Sequence, residues 1–426
     1  MNPVHEASPP QAEGGSVPSP PKLTHRQIFL RFLRFGFLAW GGPVAQIAML
    51  RRELVEEKGW ISNARFNRLL AVYQVLPGPE AHELCVYLGT LPGRRIGGFL
   101  AGLGFMLPGF VLMFLLSWLY FRMDISQSAL GPIFLGIQPA VIALIVRAVH
   151  RIGTHVVVDK WLWGIAIASA GASLLGVSFW IMLPAAGLLY ALIQRENYAL
   201  AVSLTGVLTV ASVIFLTQHG IQSGLFADAM SQETAAPQSG LRIAHDVSLL
   251  AVFLSGLKAG LLTFGGAYTV IPFLRDDAVG NGWMTDAEFL DGLALSGILP
   301  APLIIFSTFV GYFAAGPLGA IVMTLGIFLP AFCFTLFLHD QLEKLIDNKA
   351  MHSFLEGVSA SVVGLIAATT VELAYVVASR MPSLLPGVLI FAASLAVLYL
   401  WKARTNVLFV VLGAGLAGWL VFGLFR

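Results

Sequence analysis

Long runs without charged residues alternate with short polar segments along this chain of 426 residues. The runs that lack Asp, Glu, Lys and Arg are 99–121, 161–194, 197–217, 317–338 and 405–425. Each is long enough to cross a hydrocarbon core of about 30 Å, which takes about 20 residues. The run 161–194 has room for two short helices with a turn near Gly176–Ser178. The pattern predicts an all-α polytopic membrane protein, since β-barrel strands would show alternating segments of about 10 residues.

Composition agrees with this prediction. Hydrophobic residues make up 57% of the chain and charged residues only 11%, against roughly a quarter charged in soluble proteins. The basic residues cluster at the predicted membrane edges and form no extended solvated face, so we expect a lipid bilayer and no nucleic acid as partner. Cys85 and Cys333 lie in apolar surroundings. We expect both to be buried small residues, without a disulfide, a metal or any other cofactor.

The chain repeats itself at an interval of 222 to 224 residues. The matching segments are Trp40-Gly41-Gly42 with Phe264-Gly265-Gly266, Gly59-Trp60 with Gly282-Trp283, Leu76-Pro77 with Leu299-Pro300, and Leu107-Pro108 with Leu329-Pro330. A duplicated unit in an apolar chain is a common ground plan of secondary transporters. The repeat therefore predicts a transport function.

The repeat also divides the chain. The predicted units are a disordered cytoplasmic tail 1–27, a first repeat 28–193, a linking transmembrane helix 197–217, a polar linker 218–246 and a second repeat 247–425. The linking helix has no counterpart after the second repeat, so it reverses the orientation of that repeat. Segment 51–68 is basic and its counterpart 275–291 is mainly acidic. The positive-inside rule then places 51–68 in the cytoplasm and 275–291 outside, which predicts inverted repeats.

The opening segments of each repeat are interrupted helices. Gly41-Gly42-Pro43 interrupts 28–50, and Pro77-Gly78-Pro79 interrupts 69–91. Such breaks are tolerated only against protein or a water-filled cavity. Two alternatives are open: the segments cross the membrane as broken helices, or they return to the same side as re-entrant hairpins. Fewer basic residues lie outside with hairpins, which favours them.

Arg34 and Lys258 are the strongest pair of candidate site residues. Each stands seven residues before its Gly-Gly pair, at equivalent places in the two repeats. A charge inside a membrane segment costs about 2.5–3.5 kcal/mol on insertion scales and is functional by default. The alternative for Arg34 is a side chain that reaches the membrane surface near the start of its helix.

The helix breaks are the second part of the predicted site. A break exposes helix-terminal N–H groups, which carry partial positive charge and bind anions. The alternative is a kink or close helix packing through glycine. The candidate substrate-binding residues are thus Arg34, Gly41, Gly42, Pro77, Gly78, Pro79, Lys258, Gly265, Gly266, Pro300 and Pro302.

Acidic residues follow the first break only. Glu80, His82 and Glu83 come directly after Pro79, and the second repeat has apolar residues at the places of both glutamates. A carboxylate inside the membrane beside an anion site is a candidate proton carrier, and the alternative is a structural partner for a basic residue. Outside the predicted site, Trp60 and Trp283 are expected to be interfacial anchors before short helices. Thr285 and Glu288 have the spacing of a capping box.

At these motifs the sequence closely resembles the chromate ion transporter family, in its long, two-domain form. The resembling segments are Phe32-Leu33-Arg34-Phe35-Gly36, Leu76-Pro77-Gly78-Pro79-Glu80-Ala81, Phe264-Gly265-Gly266-Ala267-Tyr268 and Leu299-Pro300-Ala301-Pro302. The resemblance spans about residues 28–425. It implies efflux of chromate from the cytoplasm across the bacterial inner membrane, with chromate resistance as the result. Ala301 departs from the Pro-Gly-Pro often found there, so the two half-sites are expected to be unequal.

Two other functions were weighed against chromate export. The same scaffold could carry sulfate, an isosteric dianion, or another tetrahedral oxyanion, and the residues do not separate these substrates. An intramembrane enzyme would need a nucleophile with a base or a metal cluster. The sequence has no Gly-x-Ser-x-Gly, no His-Glu-x-x-His and no ATP-binding motif, so we expect no enzyme and no ATP-driven pump. A homo-oligomer is left open.

Overall fold

A computed structural model describes residues 20–123, 130–219, 247–264, 266–339, 341, 348–401, 403 and 405–423, with side chains omitted at 75 and 211–219. The described chain is all-α, as predicted, and contains no strand. Its helices are α1 His25–Phe37, α2 Gly42–Leu50, α3 Asn63–Val75, α4 Glu80–Arg122, α5 Gly131–Val156, α6 Lys160–Leu174, α7 Phe179–Gln194, α8 Tyr198–His219, α9 Leu249–Leu261, α10 Val270–Ala278, α11 Asp286–Gly297, α12 Phe306–Phe337, α13 Lys349–Arg380, α14 Leu384–Leu400 and α15 Asn406–Gly418. Among the described residues, five helical segments are long and apolar enough to cross a membrane by length and composition.

Local signals explain several boundaries. Thr24 caps α1 in a capping box with Gln27, so residues 25–27 belong to the helix and not to the tail predicted to end at 27. The predicted capping box of Thr285 with Glu288 is confirmed at the start of α11. The predicted turn near Gly176–Ser178 separates α6 from α7. Residues 1–19 of the predicted tail and 220–246 of the predicted linker lie outside the described residues.

The helices of the two halves correspond in order, α1–α7 with α9–α15. Asn63 opens α3 and Asp286 opens α11, 223 residues apart. The chain reversal inside α4 lies at Arg94, and the reversal inside α12 lies at Gly316, 222 residues apart. Helix α8 lies between the two sets and has no counterpart.

Helix α4 is a tight hairpin. The backbone of Arg94 is non-helical, with φ 52° and ψ −150°. A Cβ atom built on Gly89 would lie 2.6 Å from the carbonyl oxygen of Gly97, and one on Gly102 would lie 2.6 Å from the Val86 side chain. A straight helix would separate residues 86 and 102 by about 24 Å. The arm 80–93 therefore turns at Arg94 and packs back against the arm 95–122 through glycine.

Helix α12 repeats this hairpin in the second half. Gly316 has φ 65° and ψ −152°, close to the values of Arg94. A Cβ atom on Gly311 would lie 2.4 Å from the carbonyl oxygen of Gly319. The hydroxyls of Thr308 and Thr324 are 2.8 Å apart across the hairpin. The two halves thus share an unusual local geometry as well as helix order.

The short arms end near mid-height of the long arms. A Cβ atom on Gly97 would lie 3.2 Å from Ile28, and one on Gly36 would lie 2.6 Å from the Phe105 oxygen and 2.9 Å from Pro108. Helix α1 therefore runs parallel to the arm 95–122 and ends beside its middle. At 13 residues α1 is about 20 Å long, short of a bilayer core. The break after it lies deep in the protein.

The segment after each break turns back along the helix before it. Arg34 of α1 forms an ion pair with Glu53, and the Arg31 guanidinium lies 5.4 Å from the ring centre of Trp60. These contacts place 51–60 beside α1, which favours re-entrant hairpins over full crossings. They also bury Trp60, which is 1% exposed, while Trp283 is 7% exposed. The two tryptophans are therefore buried plugs of the hairpins, and the expectation of interfacial anchors was wrong.

The long arms of the two halves pack against each other in antiparallel fashion. The Arg95 guanidinium lies 5.2 Å from the ring centre of Phe337, and a Cβ atom on Gly102 would lie 2.5 Å from Phe332. Rising numbers in one arm thus meet falling numbers in the other. Antiparallel packing of equivalent helices is the arrangement that inverted repeats require.

Candidate functional site: a cavity between the helix breaks

A cavity of about 720 Å³ lies where the helix breaks of the two halves meet. Gly41 and Gly42 line it from the first half, and Gly266, Leu299 and Ala301 line it from the second. The predicted gathering of breaks from both halves at one place is therefore seen for these residues. The cavity is far larger than one tetrahedral oxyanion.

Glycine lets the chain turn into two short helices at the cavity wall. Gly41, Gly42 and Gly266 have φ of 87°, 76° and 127°, which L-amino acids with a side chain rarely adopt. Helix α2 begins at Gly42 with Pro43 in its first turn, where proline removes no helical hydrogen bond. The first residues of α2 and the turn Ala267–Thr269 before α10 both border the cavity. Exposed N–H groups at such starts favour an anion.

Two arginines of α5 supply the strongest positive charge in the cavity wall. Arg147 and Arg151 are one helical turn apart, share a face of α5 and line the cavity. Neither guanidinium has a hydrogen bond or an ion pair within the part of the chain that the structure describes. Charges inside membrane proteins are almost always paired. Two unpaired guanidinium groups facing a cavity are therefore suited to a bound anion.

Sequence reasoning missed this pair, although a signal was present. Arg147 and Arg151 stand four residues apart at the end of the otherwise apolar stretch 139–149. They were read with the basic residues of a membrane edge, because α5 has no helix break and no basic counterpart in the second half. At the matching places in α13 stand Val371 and Tyr375.

Glu80 brings a negative charge into the same cavity. Its side chain is 8% exposed and lines the wall near Arg151, which acts on it electrostatically. The Tyr268 hydroxyl is similarly near both arginines. Toward one end the wall also contains Glu356, whose carboxylate lies 3.3 Å from the His352 ring. Among the described residues no group of three His, Cys, Asp or Glu side chains could hold a metal ion.

The predicted cations Arg34 and Lys258 do not line this cavity. Arg34 pairs with Glu53, and the Lys258 ammonium donates a 2.5 Å hydrogen bond to Asp277 Oδ1. Each pair spans nineteen residues, at equivalent places in the two halves. The cations therefore hold the two arms of each broken hairpin together.

The proline breaks of the predicted site lie behind the cavity wall. Pro77, Gly78, Pro79, Pro300 and Pro302 are absent from the lining, whereas Leu299 and Ala301 are part of it. The Gly78 N–H donates a 2.8 Å hydrogen bond to the Thr263 oxygen of the other half. This bond joins the two sets of breaks. Gly265 lies outside the described residues.

His82 and Glu83 are also away from the cavity. The His82 ring is fully buried, with its centre 4.9 Å from that of Phe328 and 4.8 Å from that of Phe332. The Glu83 carboxylate is fully buried and folds back over Gly78, where an added Cβ would lie 2.8 Å from Oε1. Neither Glu83 oxygen has a hydrogen-bond partner within the described chain. Of the three predicted coupling residues, only Glu80 faces the cavity.

Comparison with known proteins identifies the family. The sequence model of the family described as "Chromate transporter" matches residues 26–192 and 250–419, one match in each half. The chain belongs to the chromate transporter family. It is 61% identical over 405 residues to the chromate transport protein of Pseudomonas aeruginosa, covering 95% of this chain and 94% of the relative.

Two more distant relatives place the chain within the family. It is 30% identical to the chromate transport protein of Cupriavidus metallidurans, over 98% of both chains. It is 28% identical to the uncharacterized transporter YwrA of Bacillus subtilis, over 37% of this chain but 88% of that protein. A family relative thus has about the length of one half. No solved structure matches.

Proposed function

We propose that this membrane protein is a secondary transporter that exports chromate from the cytoplasm and so confers chromate resistance. The observation that carries the proposal is the cavity at the meeting point of the helix breaks, with two unpaired arginines in its wall. Family membership and the names of the relatives support chromate as the substrate.

The proposed binding site differs from the one expected from sequence. Arg147 and Arg151 bind the dianion, and the starts of the short helices at Gly42 and Ala267 donate N–H groups to it. Bidentate guanidinium contacts suit a tetrahedral oxyanion. Glu80 competes with the anion for Arg151, which makes it the coupling residue of the predicted three. Arg34 and Lys258 act as supports for the hairpins.

The energy source follows from charge. An inside-negative potential favours the exit of a dianion by about 2.3 kcal/mol per charge per 100 mV. Export needs no ATP, in agreement with the absence of an ATP-binding motif from the sequence. Proton exchange through Glu80 would add to this driving force.

The alternating access of such a transporter rests on inverted repeats, which we also propose here. The antiparallel long arms and the opposite charge of segments 51–68 and 275–291 support the inversion. With the basic segment in the cytoplasm, the inner membrane of a bacterium is the expected location.

The test is chromate accumulation in growing cells. Cells that express the protein should accumulate less chromium and grow at higher chromate than cells with the Arg147→Gln, Arg151→Gln double variant. Equal accumulation with the wild type, the variant and an empty vector would contradict chromate export. Sulfate is the second candidate because the same groups recognise any tetrahedral dianion. Vesicles that move labelled sulfate, and in which chromate does not compete, would favour sulfate instead.

A further inference from the structure

The cavity occupies only one half of the helix bundle's height. Its lining comes from the last part of α5, 144–156, the first part of α13, 352–359, and the first part of α15, 406–408. The opposite ends of these helices contribute nothing to the lining. The cavity therefore reaches from the breaks toward one end of the bundle and is closed toward the other.

The two equivalent hairpin helices differ accordingly. In α3 the side chains of Ala71 and Gln74 are exposed and line the cavity. In α11 the equivalent positions Ala294 and Gly297 lie within a helix that has no exposed residue. One hairpin thus faces an open cavity, and its counterpart is packed on all sides.

A buried carboxylate holds the packed helix in place. Asp291 of α11 is 7% exposed and accepts a 2.9 Å hydrogen bond from the Tyr120 hydroxyl and a 3.1 Å hydrogen bond from Gln138 Nε2. Tyr120 belongs to the end of α4 and Gln138 to the start of α5, so the bonds join the second half to the first. They lie beyond the closed end of the cavity.

The chemistry of this contact is that of a releasable lock. Both donors are neutral, and no salt bridge to Asp291 exists in the part of the chain described by the structure. The charged groups that act on it are Glu288 of the same helix and Arg380 at the end of α13. In the first half, Arg68 occupies the equivalent position, so this contact belongs to one side only.

We propose that Asp291, Tyr120 and Gln138 form the gate that closes the outer side of the transport path. The structure is then the state open to the cytoplasm, and the outward-open state requires α11 to leave Tyr120 and Gln138. This inference rests on the proposed transport function, but the gate can be tested in the absence of any anion.

The experiment measures thiol access to the cavity from each side of the membrane. Gln74→Cys is placed in a chain with Cys85→Ala and Cys333→Ala, and a membrane-impermeant thiol reagent is applied to inside-out and right-side-out vesicles. The parent should react in inside-out vesicles and hardly at all in right-side-out ones. Adding Tyr120→Phe with Gln138→Leu should raise the right-side-out rate by about tenfold or more, because a buried carboxylate loses both partners.

Tyr190→Phe is the matched control. Like Tyr120, Tyr190 is 2% exposed and donates to an aspartate, with 2.7 Å to Asp159 Oδ2, but it lies away from the cavity. It should leave the right-side-out rate unchanged, and Asp291→Ala should raise that rate. Retained labelling in inside-out vesicles shows that each variant is folded.

Two results would overturn the gate: the Tyr120→Phe, Gln138→Leu variant reacting from outside at the parent rate, or Tyr190→Phe raising that rate equally. Chromate transport is measured separately in the same vesicles. A parent that shows the predicted access but moves no chromate would refute the substrate and leave the gate standing.

Discussion

Lys258 donates a 2.5 Å hydrogen bond to Asp277, nineteen residues further along the chain, and Arg34 forms the equivalent ion pair with Glu53 at the same separation. The two halves therefore hold the same strut between the arms of a broken hairpin. In the second half the strut is mostly buried, since the side chains of Lys258 and Asp277 are 17% and 14% exposed. The cation is explained by its partner and needs no bound anion.

A first prediction separates strut from anion ligand. Lys258→Met alone leaves the Asp277 carboxylate buried without its cation and should lower the unfolding free energy by about 3 kcal/mol. Adding Asp277→Asn should restore most of the stability, together with chromate transport. Thermal unfolding in detergent and vesicle transport are the measurements. A double variant that is stable but inactive would return Lys258 to the anion site.

The Arg34–Glu53 pair gives the matched comparison. Because the Arg34 side chain is 58% exposed, Arg34→Met should cost only about 0.2–1 kcal/mol in the same unfolding assay. A loss as large as that of Lys258→Met would contradict the difference in burial between the two struts.

A second prediction concerns the chain reversals. Arg94 and Gly316 have nearly the same backbone angles, in a region that suits glycine. Arg94→Gly should therefore raise the unfolding free energy by about 1–3 kcal/mol, and Gly316→Ala should lower it by a similar amount. Melting temperatures in detergent check both. Arg94→Gly that destabilises the protein would show that the arginine side chain does more for the hairpin than its backbone costs.

A third prediction tests glycine packing inside the hairpin of α4. A Cβ on Gly89 would lie 2.3 Å from the Ala101 Cβ, so Gly89→Leu should force the arms apart and prevent a single monodisperse species in size-exclusion chromatography. Gly164 of α6 has no heavy atom within 4 Å of a built Cβ. Gly164→Leu is the control and should behave like the parent. A well-folded Gly89→Leu protein would argue against the hairpin.

A fourth prediction assigns a role to Glu80. Glu80→Gln removes a negative charge near Arg151 and should tighten chromate binding by about tenfold, as expected for a charge interaction of 1–2 kcal/mol. It should also abolish transport driven by a proton gradient alone. Glu356→Gln is the control, since Glu356 lines the cavity beside His352. Unchanged binding and proton-driven transport in Glu80→Gln would remove Glu80 from coupling.

Much of the fold follows from local sequence. Long apolar runs give the helices, and the duplicated Gly-Gly, Trp and Leu-Pro segments give their order and the position of the breaks. The reversal at Arg94 was not predicted, because arginine rarely adopts its backbone conformation, although Gly316 marks the equivalent place.

The site was predicted only in part for a physical reason. Gly41, Gly42, Gly266 and Glu80 were found because breaks and isolated carboxylates are visible in a linear sequence. The partners of Arg34 and Lys258 were missed because a separation of nineteen residues becomes a contact only after the chain folds back. With those cations paired, the role of anion ligand passes to residues that stayed unpaired.

The central claim is that Arg147 and Arg151 hold the oxyanion. Equilibrium binding of labelled chromate to purified protein tests it most directly, in the wild type, in Arg147→Gln with Arg151→Gln, and in Lys258→Met with Asp277→Asn. We predict saturable binding in the wild type and the strut variant, and a loss of about 100-fold or more in the arginine variant, since each charged hydrogen-bonding partner contributes about 1.5–3 kcal/mol. Wild-type binding by the folded arginine variant, with loss in the strut variant, would contradict the account.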